Sequence, residues 1–244
     1  MSVRLQAREG EQDWRSRQVA GNSGGKPSPP SGGHDERSGY VFFSGWSSEH
    51  GVLCQWYRTK FTVSNAQISS VCGEHLGASR PEEGTTFHCV WLCIMYCKAA
   101  LFSDTEKQRM ILWKGSRSPS WRWSDQSRVA NCVESEWRRV EERIVEMANY
   151  AKFSQDERLK QYLLDTGDRE LVKTSGYDRI WGIGFEVKTR EQEERAVCNR
   201  HRWGENRLGK ALERVRARLR DQEGDEHEHE REDGDREDVE MGLD

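Results

Sequence analysis

The most constraining feature of this sequence is residues 87–102, FHCVWLCIMYCKAALF, which are apolar almost throughout. The run is too short to span a bilayer, which takes about 20 apolar residues, and it lacks the one-sided pattern of a surface helix. It therefore predicts a buried helix. Cys89, Cys93 and Cys97 recur every four residues on one face of this helix. Because one helix seldom brings three thiols to one metal ion, we expect core packing and no metal site.

Composition separates a folded body from two polar ends. The 244 residues are 34% hydrophobic and 33% charged, which is too polar for a chain that folds throughout. Residues 1–38 are rich in Gly, Ser, Pro, Arg and Gln, and residues 221–244 carry thirteen acidic residues against two arginines. We expect both ends to be disordered and residues 39–220 to form one domain. Within it, residues 64–85 are polar and glycine-rich and predict a loop insertion.

Charge and cysteine content indicate the ligand class and the compartment. Outside the acidic tail the net charge is +7, which suits a phosphate-bearing or nucleic-acid ligand. The N-terminus lacks the apolar core of a secretory signal, and no run of about 18 apolar residues is present. Seven cysteines in such a chain indicate reduced thiols. We therefore expect a cytoplasmic protein, with the nucleus as the alternative, and no membrane partner.

Residues 171–185, LVKTSGYDRIWGIGF, carry the pattern most typical of a binding site. A short β-prone run is followed by a Thr-Ser-Gly turn, and Asp178 and Trp181 then lie three residues apart. Gly182 and Gly184 allow the backbone to come close to a bound ligand. An acid beside a flat indole on such a segment is typical of a site for a sugar or a nucleoside. The alternative interpretation is an ordinary loop with a surface aspartate and a core tryptophan.

Helical periodicity is clear on both sides of this segment. Residues 134–153 repeat apolar side chains at steps of three and four and predict an amphipathic helix. Residues 154–157, SQDE, have the form of a capping box and predict the start of a second helix. Asn206 is placed to cap a last helix, whose free N–H groups and positive dipole end would face a phosphate.

Residues 107–128 interleave Trp113, Trp121 and Trp123 with six basic residues and show no clear period. Alternating aromatic and basic residues can bind single-stranded nucleic acid through stacking and phosphate contacts. This pattern is the basis for DNA as a further expected partner. A loop without such a function is the interpretation that we favour for this stretch.

In their order and spacing, the motifs resemble the NADAR (YbiA-like) domain family over about residues 40–220. The resemblance implies an α+β fold, namely a compact, mainly helical single domain with a few short strands, flanked by disordered tails. It also implies N-glycosidase activity on ADP-ribose-type or riboflavin-pathway N-glycosides. The segments that carry it are FF at 42–43, Leu53 with Trp56, Tyr57 and Phe61, MYCKAALF at 95–102, Glu136-Trp137, NYAKFSQ at 149–155, LLDTGDRELV at 163–172, SGYDRIWGIGF at 175–185 and WGENRLGKAL at 203–212.

The resemblance further implies a pocket built from several segments. Asp178 is the expected catalytic residue, and no cofactor is expected. The expected partner is a small nucleotide-sugar or an ADP-ribosylated substrate. The expected ligand-binding residues are Trp181, Gly182, Lys98, Tyr96, Lys152, Asn206, Gly209 and Trp56.

The sequence departs from the family pattern at positions that matter for catalysis. Trp91 stands seven residues before Lys98, where the family carries a glutamate, and Lys173 stands where a second carboxylate is usual. Glu74-His75 resembles the missing acid-histidine pair but lies at the wrong distance from Lys98. Because tryptophan cannot accept a proton or carry a negative charge, we expect impaired N-glycosidase activity. The alternatives are a catalytically dead ADP-ribose-binding or nucleotide-binding module and a nucleic-acid-binding protein.

Overall fold

The computed structural model describes residues 39–73, 84–117 and 128–241. The N-terminal segment 1–38, for which disorder is predicted, lies outside the described residues. Within the described ranges the chain forms a mainly helical α+β domain with short strands, so the predicted fold class is confirmed.

Helices make up most of the described structure. The buried helix predicted within residues 87–102 and the amphipathic helix predicted at residues 134–153 are both confirmed. None of the described helices has the length and apolar character needed to cross a membrane. In chain order the helices are α1 (Asn65–Cys72), α2 (Val90–Leu101), α3 (Thr105–Arg117), α4 (Glu134–Ser154), α5 (Glu157–Leu164), α6 (Arg190–Cys198) and α7 (Arg207–Met241), with 3-10 turns at Gly51–Leu53 and Arg200–Arg202.

The strands pair into two small sheets within the described residues. They are β1 (Tyr40–Phe43), β2 (Phe61–Val63), β3 (Thr85–Phe87) and β4 (Glu170–Lys173). β1 pairs in parallel with β4, with Phe43 opposite Lys173, and β2 pairs antiparallel with β3. The parallel pair positions the candidate site, because β4 leads directly into the segment that carries Asp178.

Helix α2 lies in the main core, where it packs against α1, α3 and α4. Its residues 92–97 are all buried, because a helix that is apolar all round is stable only when other elements cover it. Cys89, Cys93 and Cys97 are buried free thiols in this core, in agreement with the packing role predicted for them.

A second, smaller core lies under the segment that follows β4. Val172, Ile183 and Ala196 are buried there, and the rings of Phe42 and Trp203 pack at its edge. The indole N–H of Trp203 donates to the carbonyl oxygen of Ala196 at 2.8 Å. This core holds the segment that follows β4 in place against β1, α6 and the residues just before α7.

The predicted loop insertion at residues 64–85 is wrong at both of its ends. Residues 65–72 form α1 and residues 85–87 form β3, while residues 74–83 lie outside the described residues. A capping box starts α1, in which Ser64 Oγ accepts the N–H of Gln67 at 3.1 Å and Gln67 Oε1 accepts the N–H of Ser64 at 2.9 Å. These reciprocal bonds satisfy two backbone donors and explain why the polar segment is helical.

The acidic tail is helical where disorder is predicted. Helix α7 continues through residues 221–241, and residues 242–244 lie outside the described residues. Extending an existing helix fixes one residue per hydrogen bond gained, whereas starting a new helix is costly. The tail contains no proline that would stop the extension.

The stretch predicted as an aromatic-basic loop begins as a helix. Residues 107–117 belong to α3, so the loop interpretation is wrong for this half, and Trp113 lies exposed on the helix. Trp121 and Trp123 lie outside the described residues. Contact with DNA through this stretch therefore stays a prediction.

Helix α5 starts close to the predicted position but with a different cap. Asp156 is the N-cap residue, and its side chain accepts the N–H of Arg158 at 3.2 Å. The side chain of Gln155 instead makes two hydrogen bonds to the backbone of Thr62. Its Oε1 accepts the N–H at 2.8 Å, and its Nε2 donates to the carbonyl oxygen at 2.7 Å. Gln155, which the sequence places in the cap of α5, therefore joins the end of α4 to β2.

Candidate functional site

The loop after β4 folds around the side chain of Asp178. Its Oδ1 accepts the backbone N–H groups of Ile180 at 3.1 Å and Trp181 at 2.8 Å, and its carbonyl oxygen accepts the N–H of Gly184 at 3.0 Å. Gly184 has a φ of +75°, which would strain a residue with a side chain. Oδ2 of Asp178 makes no hydrogen bond to the described residues. One carboxylate oxygen therefore orients the group, and the other can meet a ligand.

Trp181 and Gly182 close this loop against the domain. The indole of Trp181 is partly buried and packs at the edge of the main core, three residues from Asp178 as predicted. Gly182 is buried, and a Cβ there would lie 2.9 Å from the carbonyl oxygen of Lys173. Glycine at this position lets the loop lie against β4, which brings Asp178 towards Lys173.

Backbone hydrogen bonds join the same loop to the first turn of α7. The N–H of Arg207 donates to the carbonyl oxygen of Ile180 at 3.1 Å, and the N–H of Leu208 donates to that of Trp181 at 3.2 Å. The sequence predicts that the N–H groups at the start of this helix face a phosphate. In the structure, the N–H groups of Arg207 and Leu208 instead bind carbonyl oxygens of the loop. The positive end of the α7 dipole therefore stabilises loop carbonyls.

Asn206 and Gly209 hold α7 against β4. Asn206 is 3% exposed, and its Oδ1 accepts the N–H of Lys173 at 3.0 Å while its Nδ2 donates to the carbonyl oxygen of Leu171 at 2.8 Å. A Cβ on Gly209 would overlap the Leu171 carbonyl oxygen. Both residues thus position β4 and the Asp178 loop, and the predicted direct contact with a ligand stays a prediction.

Lys173 lies at the end of β4 beside the loop. Its Nζ donates to the carbonyl oxygens of Thr174 at 2.9 Å and Ser44 at 3.3 Å. Burial lowers the pKa of Lys173, and the nearby groups of Cys54 and Asp178 partly oppose this effect. The position at which the resemblance implies a carboxylate therefore carries a partly buried amine that interacts with Asp178.

Lys152 is buried at the end of α4. Its Nζ donates to the carbonyl oxygens of Val52 and Cys54, and it lies 5.3 Å from the ring centroid of Tyr57 and 4.5 Å from that of Phe153. Burial lowers the pKa of Lys152 to about 7. The residue holds the 3-10 turn at residues 51–53, and its predicted contact with a ligand stays a prediction.

Replacing Lys152 with methionine is expected to flatten the pH dependence of stability. Because the pKa of Lys152 is about 7 in the folded protein and about 10.4 in an unfolded chain, the unfolded chain binds more protons between these values. The free energy of unfolding of the wild type therefore rises with pH in this window, by up to about 1.4 kcal/mol per pH unit. Urea unfolding of wild type and variant at pH 7 and pH 8 measures the difference.

A control for this experiment is Lys188→Met, since Lys188 is 67% exposed in its side chain and pairs with Glu186. This variant should keep the wild-type slope. Equal slopes for wild type and Lys152→Met would show instead that Lys152 stays charged in the folded protein. Keeping to pH 8 and below limits the opposing titration of buried thiols, whose unperturbed pKa is about 8.5.

Trp91 lies stacked on Trp56 at the start of α2. The ring centroids are 4.9 Å apart with an interplanar angle of 30°, and the N–H of Trp91 donates to the carbonyl oxygen of Gln55 at 3.0 Å. Lys98 follows Trp91 by seven residues, which is two helical turns, so both lie on one face of α2. A pair of flat rings thus stands where the resemblance implies a glutamate.

Further along this face, Lys98 belongs to a second polar cluster. Its Nζ lies 4.7 Å from the ring centroid of Trp137, and it interacts electrostatically with Glu141. Glu141 is 7% exposed, accepts a hydrogen bond from Arg207 at 3.1 Å, and has a pKa raised by burial. Glu141 was not predicted as a site residue. The signal was available, because Glu141 follows Trp137 by four residues and is therefore a charged residue on the apolar face of α4.

Tyr96 lies in the main core. It is 2% exposed and packs edge-on against Phe87, with ring centroids 5.4 Å apart. Five residues along α2 separate it from Trp91, so its side chain leaves the helix on a different side. Its predicted contact with a ligand stays a prediction.

The structure thus brings the predicted residues into two neighbouring groups. Lys173, Asp178 and Trp181 form one group at the end of β4, where Gly182 packs against the carbonyl oxygens of Lys173 and Asp178. Lys152 lies apart from this group on the carbonyl oxygens of Val52 and Cys54. The cluster around Lys98 is separate and is linked to the first through Arg207 at the start of α7. In the part of the chain that the structure describes, no group of three His, Cys, Asp or Glu residues is placed to hold a metal ion.

Comparison with known proteins identifies the class of protein that this fold defines. The model of the NADAR domain matches residues 41–220, and the chain therefore belongs to the NADAR domain family. It is 29% identical over 185 residues to the N-glycosidase R617 of Acanthamoeba polyphaga mimivirus, which covers 74% of this chain and 96% of that protein. It is 28% identical over 140 residues to Protein irg-1 of Caenorhabditis elegans, which covers 57% of this chain and 64% of that protein.

A solved structure shows the same architecture. The NMR structure of the E. coli protein YbiA matches with a TM-score of 0.54 and 21% sequence identity, over 75% of this chain and 86% of that one. At this identity the match establishes the fold alone. The family and the fold predicted from the motifs are both confirmed.

Proposed function

We propose that the protein is an N-glycosidase-type hydrolase of the NADAR family with reduced turnover. The observation that carries the proposal is the carboxylate of Asp178, which two backbone N–H groups orient through Oδ1 beside the partly exposed ring of Trp181. Family membership supports the reaction class, and the similar mimivirus protein is named an N-glycosidase.

The proposed role of Asp178 follows from the charge that develops during the reaction. Cleavage of a glycosidic bond passes through a sugar with oxocarbenium character, which a nearby carboxylate stabilises. Because Oδ1 is already hydrogen-bonded, the carboxylate needs little reorganisation when the charge appears. The indole of Trp181 supplies a flat surface for a sugar ring or a base.

Reduced turnover follows from the groups that replace the family's carboxylates. The reaction also needs a group that activates water or protonates the leaving base. Trp91 stacks on Trp56 and carries no ionisable group, while Lys173 presents an amine. Losing a general base costs about two to four powers of ten in rate.

An N-glycoside of ADP-ribose or riboflavin-pathway type is the proposed substrate class. Stacked indoles favour a ligand with a flat base, and the net charge of +7 outside the acidic tail favours one that carries phosphate. Both properties belong to a nucleotide-sugar.

Changing Asp178 to asparagine is expected to abolish the remaining hydrolysis. Asparagine keeps an oxygen that accepts the N–H groups of Ile180 and Trp181 but carries no negative charge. The rate should therefore fall by at least about 100-fold. Purified wild type and variant are incubated with ADP-ribosyl and riboflavin-pathway N-glycosides, and the released base is measured by mass spectrometry.

Asp168→Asn is the matched control for this experiment. The Asp168 side chain is 94% exposed and pairs with Arg220 on the outer side of α7. This variant should cleave at the wild-type rate. Hydrolysis by Asp178→Asn at the wild-type rate would contradict the proposal.

A ligand-binding module without turnover is the second candidate, and the stack of Trp91 on Trp56 favours it. Such a pair can hold a base without any proton transfer. Calorimetry with ADP-ribose, run beside the product measurement, separates the two candidates. Saturable binding without release of a base from any tested N-glycoside would favour the binding module.

A further inference from the structure

The residues that lead into β2 carry two basic side chains on their solvent side. Arg58 and Lys60 are exposed, whereas Thr59 and Phe61 are only 7% and 2% exposed. This alternation is that of an extended chain, in which side chains two residues apart lie on the same side. Arg58 and Lys60 therefore lie next to each other on the outer surface at the start of β2.

His88 adds a third basic side chain from the end of β3. The N–H of Thr59 donates to the carbonyl oxygen of His88 at 3.1 Å, so the two segments stay side by side beyond the paired strands. Partial burial lowers the pKa of His88, and the positive charges of Arg58 and Lys60 lower it further. Arg58, Lys60 and His88 thus form one basic face at this end of the β2–β3 pair.

The charges of the basic face have no acidic partner in the part of the chain that the structure describes. Both charged groups that act on His88 are positive, and like charges on neighbouring strands destabilise a fold. A bound anion would remove this repulsion. Basic side chains elsewhere on the surface lie against carboxylates, as in the pairs Arg138–Glu134, Lys188–Glu186, Arg195–Glu191 and Arg220–Asp168.

The basic face flanks the stack of Trp91 on Trp56 in both segments. Arg58 follows Trp56 by two residues, and His88 precedes Trp91 by three. Because an extended chain spans at most about 3.6 Å per residue, the Cα atoms of these two pairs lie within about 7 Å and about 11 Å. An aromatic surface next to unpaired positive charge matches a ligand that carries both a flat base and phosphate.

We propose that Arg58, Lys60 and His88 bind the phosphate groups of a nucleotide whose base lies against the stacked indoles. This inference rests on the proposed function for the class of ligand, a nucleotide-sugar, but it does not require hydrolysis. It assigns the phosphate to the basic face and not to the first turn of α7, where the N–H groups of Arg207 and Leu208 bind carbonyl oxygens of the Asp178 loop.

The three side chains supply different parts of phosphate recognition. The planar guanidinium of Arg58 presents paired donors that match two phosphate oxygens, and Lys60 adds a mobile point charge. A phosphate beside His88 would favour its imidazolium form, because a nearby negative charge raises the pKa of a histidine. The bound anion would therefore offset the effect that Arg58 and Lys60 have on His88 in the free protein.

Calorimetry on the full chain with ADP-ribose, ADP and adenosine tests the proposal. The double variant Arg58→Gln/Lys60→Gln should weaken the binding of ADP-ribose and ADP by at least about tenfold. Adenosine, which carries no phosphate, should not distinguish the variant from the wild type. The melting temperature should stay the same or rise, because the like charges no longer repel. Added NaCl should weaken nucleotide binding more in the wild type than in the variant.

The double variant Lys188→Gln/Arg195→Gln is the matched control. These two side chains are 67% and 74% exposed, and each is paired with a glutamate close to it in sequence. The control removes the same charge and should keep the wild-type affinity for both nucleotides. An equal loss of affinity in the control would overturn the proposal. So would unchanged nucleotide binding by Arg58→Gln/Lys60→Gln, or a wild type that binds neither ADP-ribose nor ADP.

The same proteins separate the phosphate site from the hydrolase function. Cleavage of an N-glycoside together with unchanged nucleotide affinity in Arg58→Gln/Lys60→Gln would overturn the phosphate site and leave the hydrolase function standing. Loss of affinity in this variant, with no cleavage of any N-glycoside by the wild type, would support the phosphate site and contradict the hydrolase function.

Discussion

Replacing Trp91 with glutamate is expected to raise N-glycoside hydrolysis by about 100-fold, the lower end of what a general base contributes. The position starts α2, lies on the same face as Lys98, and is only partly buried, so a carboxylate there keeps contact with water. The change gives up the stack on Trp56, which costs about 1 kcal/mol. Release of base from ADP-ribosyl and riboflavin-pathway N-glycosides, followed by mass spectrometry, measures the gain.

Two controls decide whether the gain comes from the carboxylate. Trp91→Gln has nearly the same shape as Trp91→Glu but no charge, and it should stay at the wild-type rate. Trp113→Glu adds a carboxylate in place of an exposed indole on α3, away from the Asp178 loop, and should also have no effect. Equal rates for Trp91→Glu and Trp91→Gln would show that the missing glutamate does not limit turnover.

Changing Gly209 to alanine is expected to lower the free energy of unfolding by about 2–4 kcal/mol. The added Cβ would overlap the carbonyl oxygen of Leu171 and crowd the amide of Asn206, so α7 would have to move away from β4. Because the Asp178 loop is bonded to the first turn of α7, its geometry should be lost together with stability. Urea unfolding at neutral pH measures the change.

Gly224 provides the matched control on the same helix. An added Cβ at this position meets no atom within 4 Å, so Gly224→Ala should be neutral or stabilise by up to about 1 kcal/mol. The contrast separates loss of close packing from the general preference of helices for alanine. If both variants had the same stability, the close contact between α7 and β4 would not be a determinant of the fold.

The sequence predicts the parts of the structure that depend on local pattern. The apolar run of α2 and the stripe of α4 are visible in the spacing of residues alone, and both helices are found. Asp178 and Trp181 could also be predicted, because their turn, their spacing and the adjacent glycines lie within one short segment. Local pattern therefore identifies the candidate loop.

Contacts between distant segments could not be predicted in the same way. Asn206 looks like a helix cap, but its φ of +51° and its bonds to β4 depend on a strand 33 to 35 residues earlier. Glu141 meets Arg207 and Lys98 only because α2, α4 and the start of α7 converge. Tyr96 is assigned to the site by motif, and only the fold shows that its ring is buried against Phe87.

A crystal structure of the full chain with ADP-ribose tests most directly whether the Asp178 loop holds the sugar. We predict that the anomeric carbon lies within about 4 Å of Asp178 Oδ2, with a ring of the ligand against Trp181, because a catalytic carboxylate must reach the reacting atoms. A ribose bound at the Lys98 and Glu141 cluster instead, with the Asp178 loop empty, would contradict the assignment of the site.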